Sequence, residues 1–92
     1  MGERTEYYAI VRVGRSATEA DGLARRRLVE ENGEVVELHD ESVRRDLSWG
    51  PSSVIVEWEH AESTEELLPV SEEEAEGIVE RFRVTWGPPP GM

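Results

Sequence analysis

The sequence predicts an α+β domain: a mainly antiparallel sheet of four to five strands with one C-terminal amphipathic helix packed on one face. Three observations carry this reading. A run of aromatic and β-branched residues occupies positions 7–13, an Asn32-Gly33 pair sits between two segments of strand-like composition, and a Ser-x-x-Glu box precedes an apolar stripe of helical spacing near the C-terminus.

The first element is read as a strand from Tyr7 to Val13, ended by Gly14. Tyr7, Ala9, Val11 and Val13 share one face, and Tyr8, Ile10 and Arg12 the other. Two readings compete over residues 16–32. Ser16 and Glu19 form a capping box, and Ala17, Ala20, Ala24 and Leu28 have helical spacing. Against that helix, Gly22 in its interior costs about 1 kcal/mol relative to Ala, and Glu30 and Glu31 fall at the wrong end of its dipole. Asn32-Gly33 suits a type I′ turn, so the hairpin is preferred. Its simplest register pairs Val29 with Val36, Arg27 with Leu38 and Arg25 with Asp40.

Residues 44–51, Arg-Arg-Asp-Leu-Ser-Trp-Gly-Pro, read as an irregular turn with Trp49 as its half-buried anchor. Val54, Val56 and Trp58 alternate with Glu57 and Glu59, and high β propensity favours a strand there, although Val54, Ile55, Trp58 and Ala61 also match a helix. Leu67, Leu68 and Val70 form a short strand that leads into the last element. Ser71 and Glu74 cap a helix beginning at about Glu72, whose stripe is Ala75, Ile78, Val79, Phe82 and Trp86. Gly87 and Pro88 to Pro90 stop it. The chain is thus expected to form a single domain over 1–87 with a Pro-rich disordered tail over 88–92.

Charge and composition narrow the function. The chain has 92 residues, 37% of them apolar, no Cys, and a net charge of −11. Residues 1–29 hold six Arg against four acids, +2, while residues 30–92 hold four Arg against 17 acids, −13. Such a surface repels nucleic acid phosphates and anionic lipid, and it favours a basic partner. No run approaches the roughly 20 apolar residues of a membrane span, and the charged N-terminus lacks a signal-peptide core, so a cytoplasmic protein is expected. Disulfides, thiolate ligands and cysteine nucleophiles are excluded.

No pattern specific to a reaction is present. The glycines that precede the predicted helix lie singly, so no phosphate-binding loop is formed, and no glycine-flanked Ser marks a nucleophile. The expected function is a noncatalytic protein–protein interaction domain without a cofactor. It meets a basic protein through the acidic residues Glu57, Glu59, Glu65 and Glu66, or a second copy of itself through a sheet face lined by Ile55, Tyr8 and Ile10. Two alternatives stand beside it. One is a small-ligand or metal binder using His39 and His60, whose neighbours Asp40, Glu41 and Glu62 follow no metal-site spacing. The other is an anion or nucleic acid site at Arg25, Arg26 and Arg27, with Tyr7 and Tyr8 nearby. Pairing of those arginines with acids on the next strand is the simpler role for them, because neighbours on a strand alternate faces.

Taken together, Tyr7-Tyr8-Ala9-Ile10, Arg25-Arg26, Arg45-Asp46-Leu47-Ser48-Trp49 with Pro51, and Ser71-Glu72-Glu73-Glu74-Ala75-Glu76 resemble a group of small uncharacterised proteins from high-GC actinobacteria. That resemblance implies a strand over residues 23–38 and a bacterial cytoplasmic origin. It implies no substrate, cofactor or catalytic residue.

Overall fold

The computed structural model describes residues 2–86; the predicted stop at Gly87 and the tail over 88–92 lie outside them. Five strands form one antiparallel sheet: β1 (Gly2–Arg12), β2 (Gly22–Glu31), β3 (Glu34–Val43), β4 (Trp49–Pro51) and β5 (Glu65–Val70), in the order β4-β3-β2-β1-β5. A short helix, α1 (Val54–Glu59), precedes β5, and a long one, α2 (Glu72–Trp86), follows it. The predicted α+β class and its C-terminal helix are therefore present.

Each side of the sheet has its own apolar layer. Ala9 and Val11 from β1 and Leu23 from β2 face α2, where Ala75, Ile78 and Phe82 cover them. Ser71 and Glu74 form both bonds of the predicted capping box. The Glu74 N–H donates to Ser71 Oγ at 3.1 Å, and the Ser71 N–H donates to the Glu74 carboxylate at 3.0 Å. On the opposite side, Ile10, Ala24 and Leu67 are covered by Ile55 of α1, with Tyr8 and Val54 packed at the margin.

Three expectations need correction. Residues 54–59 form a helix, not a strand. In a strand, alternation would turn Ile55 away from Val54 and out to water; in the helix both reach the sheet and Ile55 is 1% exposed. Burial of that kind outweighs the β propensity of three β-branched residues in a row. Residues 49–51, read as part of a turn, form the edge strand β4 against Glu41, Ser42 and Val43. The hairpin at Asn32-Gly33 forms with both residues at positive φ, 54° and 82°, as a type I′ turn requires. Its register, however, shifts by one residue between Val29 and Glu30, so the observed partners are Val29 with Glu37, Arg27 with His39 and Arg25 with Glu41. The shift has a chemical reason: it brings Arg25 opposite Glu41, Arg26 opposite Asp40 and Leu28 opposite Leu38. The simple register would have matched Arg27 with Leu38 and left Asp40 opposite Arg25. The capping box read at Ser16 and Glu19 survives as a single 3-10 turn, Ala17–Glu19, that delivers the chain into β2.

Candidate interaction surface

The three consecutive arginines alternate sides as a strand dictates, and each lies within 3.2 Å of a carboxylate. Arg26 lies on the α1 side. Its guanidinium donates Nε to Asp40 at 2.7 Å and Nη2 to the other oxygen of the same carboxylate at 2.9 Å. It also grips both oxygens of Glu59, at the end of α1, at 3.0 and 2.9 Å. The Arg26 side chain is 13% exposed and Asp40 9%. Those hydrogen bonds, to Asp40 first and Glu59 second, raise the Arg26 pKa further, and the bonds from Arg26 hold Glu59 below the ordinary carboxylate value.

Arg25 and Arg27 project to the α2 side. Arg25 donates to Glu41 at 2.9 Å and lies 4.2 Å over the ring of Trp49, which Tyr7 meets edge-on at 6.2 Å. Arg27 Nε is 3.2 Å from the same Glu41 oxygen, off the hydrogen-bonding direction, and has no hydrogen-bond partner. Arg27 also lies 3.9 Å from Glu3. The triplet is thus divided between two faces and engaged with acids on neighbouring strands, so it does not present three free cations to one ligand.

The histidines are separated in the same way. His39 is the register partner of Arg27 and shares its face, whereas His60 follows α1 on the opposite side. The fold does not bring the two imidazoles together, and among the described residues no group of three or more His, Asp or Glu is placed to hold a metal ion.

The expected partner residues have unequal places. Glu57 is exposed on α1 and accepts a hydrogen bond from Ser53 Oγ at 2.9 Å. Glu65 and Glu66 are half-buried at the start of β5. Glu59 is committed to Arg26, a tie that the sequence did not reveal because the two are 33 residues apart. Ile55 lies under α1 against Ile10, so the face lined by Ile55, Tyr8 and Ile10 is closed by the chain itself and is not available to a second copy. Tyr8 remains half-buried beside Trp58, ring centroids 6.4 Å apart, and donates to Glu6 at 3.3 Å. It also borders an open notch of about 640 Å³ where β5 passes into α2, which none of the other candidate residues lines.

Sequence reasoning missed an open edge of the sheet. β4 pairs with β3 only over Glu41 to Val43, so the outer edge of β3 from Glu34 to His39 has no neighbouring strand among the described residues. Val35, Val36 and Leu38 on it are 49%, 51% and 47% exposed. The available signal was the valine pair flanked by Glu34 and Glu37 directly after a hairpin turn, in a strand too long for the β4 segment to cover. No helix among the described residues is long and apolar enough to cross a membrane. No family model, curated protein or solved structure matches the chain.

Proposed function

We propose that this chain is a noncatalytic protein–protein interaction domain whose acidic surface receives a basic protein partner. The observation that carries the reading is the disposition of charge. Among the described residues seven of the ten arginines, Arg4, Arg12, Arg15, Arg25, Arg26, Arg27 and Arg83, are engaged in ion pairs. The carboxylates left over, among them Glu57, Glu62, Glu72, Glu73 and Glu76, face water. A net charge of −11, with most of its arginines already opposed by carboxylates of the same chain, produces a negative field that draws a basic partner and speeds its approach in a salt-dependent way. The same pairing speaks against nucleic acid as the ligand of the triplet, because phosphate would have to displace carboxylates already bound to Arg25 and Arg26 at 2.7 to 3.0 Å, and Arg27, 3.2 Å from Glu41, stands on the other face from Arg26.

The test is capture from lysate of the native host by the tagged chain, washed at low and at high salt. The reading predicts a stoichiometric basic protein that is released at high salt. Recovery of the chain alone at both salt concentrations would overturn it.

A further inference from the structure

The free edge of β3 has a two-sided character that follows from the bulge. Cα partners across a sheet share a face. Leu38 pairs with Leu28 and Val35 with Glu30, which places Val35, Leu38 and the buried Leu28 on the side of Arg26 and α1. Glu37 pairs with Val29 and Glu34 with Glu31, which places both glutamates on the other side. Without the register shift between Val29 and Glu30 the two aliphatic residues would point to opposite faces. With it, the edge is apolar on one face and acidic on the other. Glu34 and Glu37 take part in no ion pair among the described residues, in contrast to Asp40 and Glu41 farther along the same strand.

The backbone of this edge is also open. The Ser52 N–H donates to the Asp40 carbonyl at 3.1 Å, so Asp40 turns its backbone groups away from β2 and toward the β4 side. In an antiparallel strand, alternate residues point the same way, so the Leu38 N–H and C=O are directed outward too. β4 occupies the start of this track and the chain then leaves it for α1.

We propose that the edge from Glu34 to His39 is a strand-addition site for an extended basic segment, in which Arg or Lys alternates with aliphatic residues. This inference rests on the interaction-domain reading above and names the partner's chemistry and its place. With Val36 as the extra residue of the bulge, the rest of the edge alternates faces as an added strand does, so the strand's basic side chains meet Glu34 and Glu37 while its aliphatic ones extend the Val35, Leu38 and Leu28 layer. A second copy of this chain does not have that chemistry. It would lay Glu34 and Glu37 beside their own counterparts and join two molecules of charge −11, and a bulge together with edge charges is a known means of preventing such self-pairing.

The experiment titrates the full chain with a peptide of about ten residues alternating Arg and Val, beside a control alternating Glu and Val, and follows affinity and backbone amide exchange. The Arg-Val peptide should bind, slow the exchange of amides over 35–39, and lose about tenfold or more in affinity to Leu38→Pro, which removes an outward N–H that the β2 ladder does not use. The surface pair Glu34→Arg/Glu37→Arg should weaken the peptide similarly, and it supplies the answer if Leu38→Pro does not fold. Equal binding by the glutamate pair variant, tighter binding of the Glu-Val control, or protection confined to α1 or α2 would each overturn the site. Dimerisation of the chain alone with 35–39 protected would overturn the choice of occupant. A partner captured from lysate and held equally by Leu38→Pro and the glutamate pair variant would sink the edge while leaving the interaction reading intact; capture of nothing at any salt would sink the reading itself.

Discussion

Arg26 replaced by Met keeps much of the side chain's volume but leaves Asp40, 9% exposed, without its counter-charge, and removes the tie between α1 and the sheet. Removal of one member of a buried pair costs about 3 kcal/mol or more, because the remaining charge stays desolvated. Urea unfolding of Arg26→Met should show a loss of that order, whereas Arg83→Met, at an exposed i,i+3 pair, should change stability by well under about 1 kcal/mol. Glu59 adds a pH signature. Its pKa is lowered from 4.5 by the Arg26 hydrogen bonds, so its contribution is fully present above about pH 4.5 and disappears as pH falls through the lower folded value. Thermal midpoints of the wild type and of Glu59→Gln should therefore differ at neutral pH and converge in acid. The pairing of the arginines with acids was legible in outline, since Arg25 to Arg27 and Asp40-Glu41 flank one hairpin turn. Which acid each arginine would take was not, because that depends on a bulge, and the Glu59 contact depends on a helix that the local sequence disguised.

At the scale of elements, α1 is the decisive piece. Ile55 is the buried side chain of this six-residue helix and, with Val54 at the margin, covers the second face. Ile55→Ala should destabilise the domain by about 3 kcal/mol, the usual loss for truncating a buried isoleucine, and should expose Ile10, Ala24 and Leu67, which dye binding or amide exchange of β5 would report. A helix this short has little intrinsic stability, so burial of Ile55 and the Glu59 clamp hold it in place. That explains why the sequence read as a strand: Val54, Ile55 and Val56 have β propensity, and the information that decides against it resides in the face being covered. By contrast α2 was legible to its first turn, because a reciprocal cap and a periodic stripe are both local signals. The type I′ turn was legible for the same reason. β4 was not, since the contacts of Trp49 with Arg25 and Tyr7 that anchor it join residues far apart in the sequence.

For the whole molecule, the extents of 44 × 31 × 22 Å reflect strands that outrun their cover. β1, β2 and β3 continue past the ends of β4 and β5 as a three-stranded ribbon, with carboxylates and exposed aliphatic residues toward its tip. Negative charge is spread over α1, the start of β5 and the first turn of α2, while most of the arginines are held in pairs. The interaction reading depends on that distribution acting on another molecule. The most direct test compares binding of the lysate-captured partner by the wild type and by the triple variant Glu57→Arg/Glu62→Arg/Glu76→Arg, which reverses three exposed carboxylates, with Glu59 left in place because it supports the fold. Loss of binding with an unchanged thermal midpoint is the predicted result; equal binding at low salt by a folded variant would contradict the account.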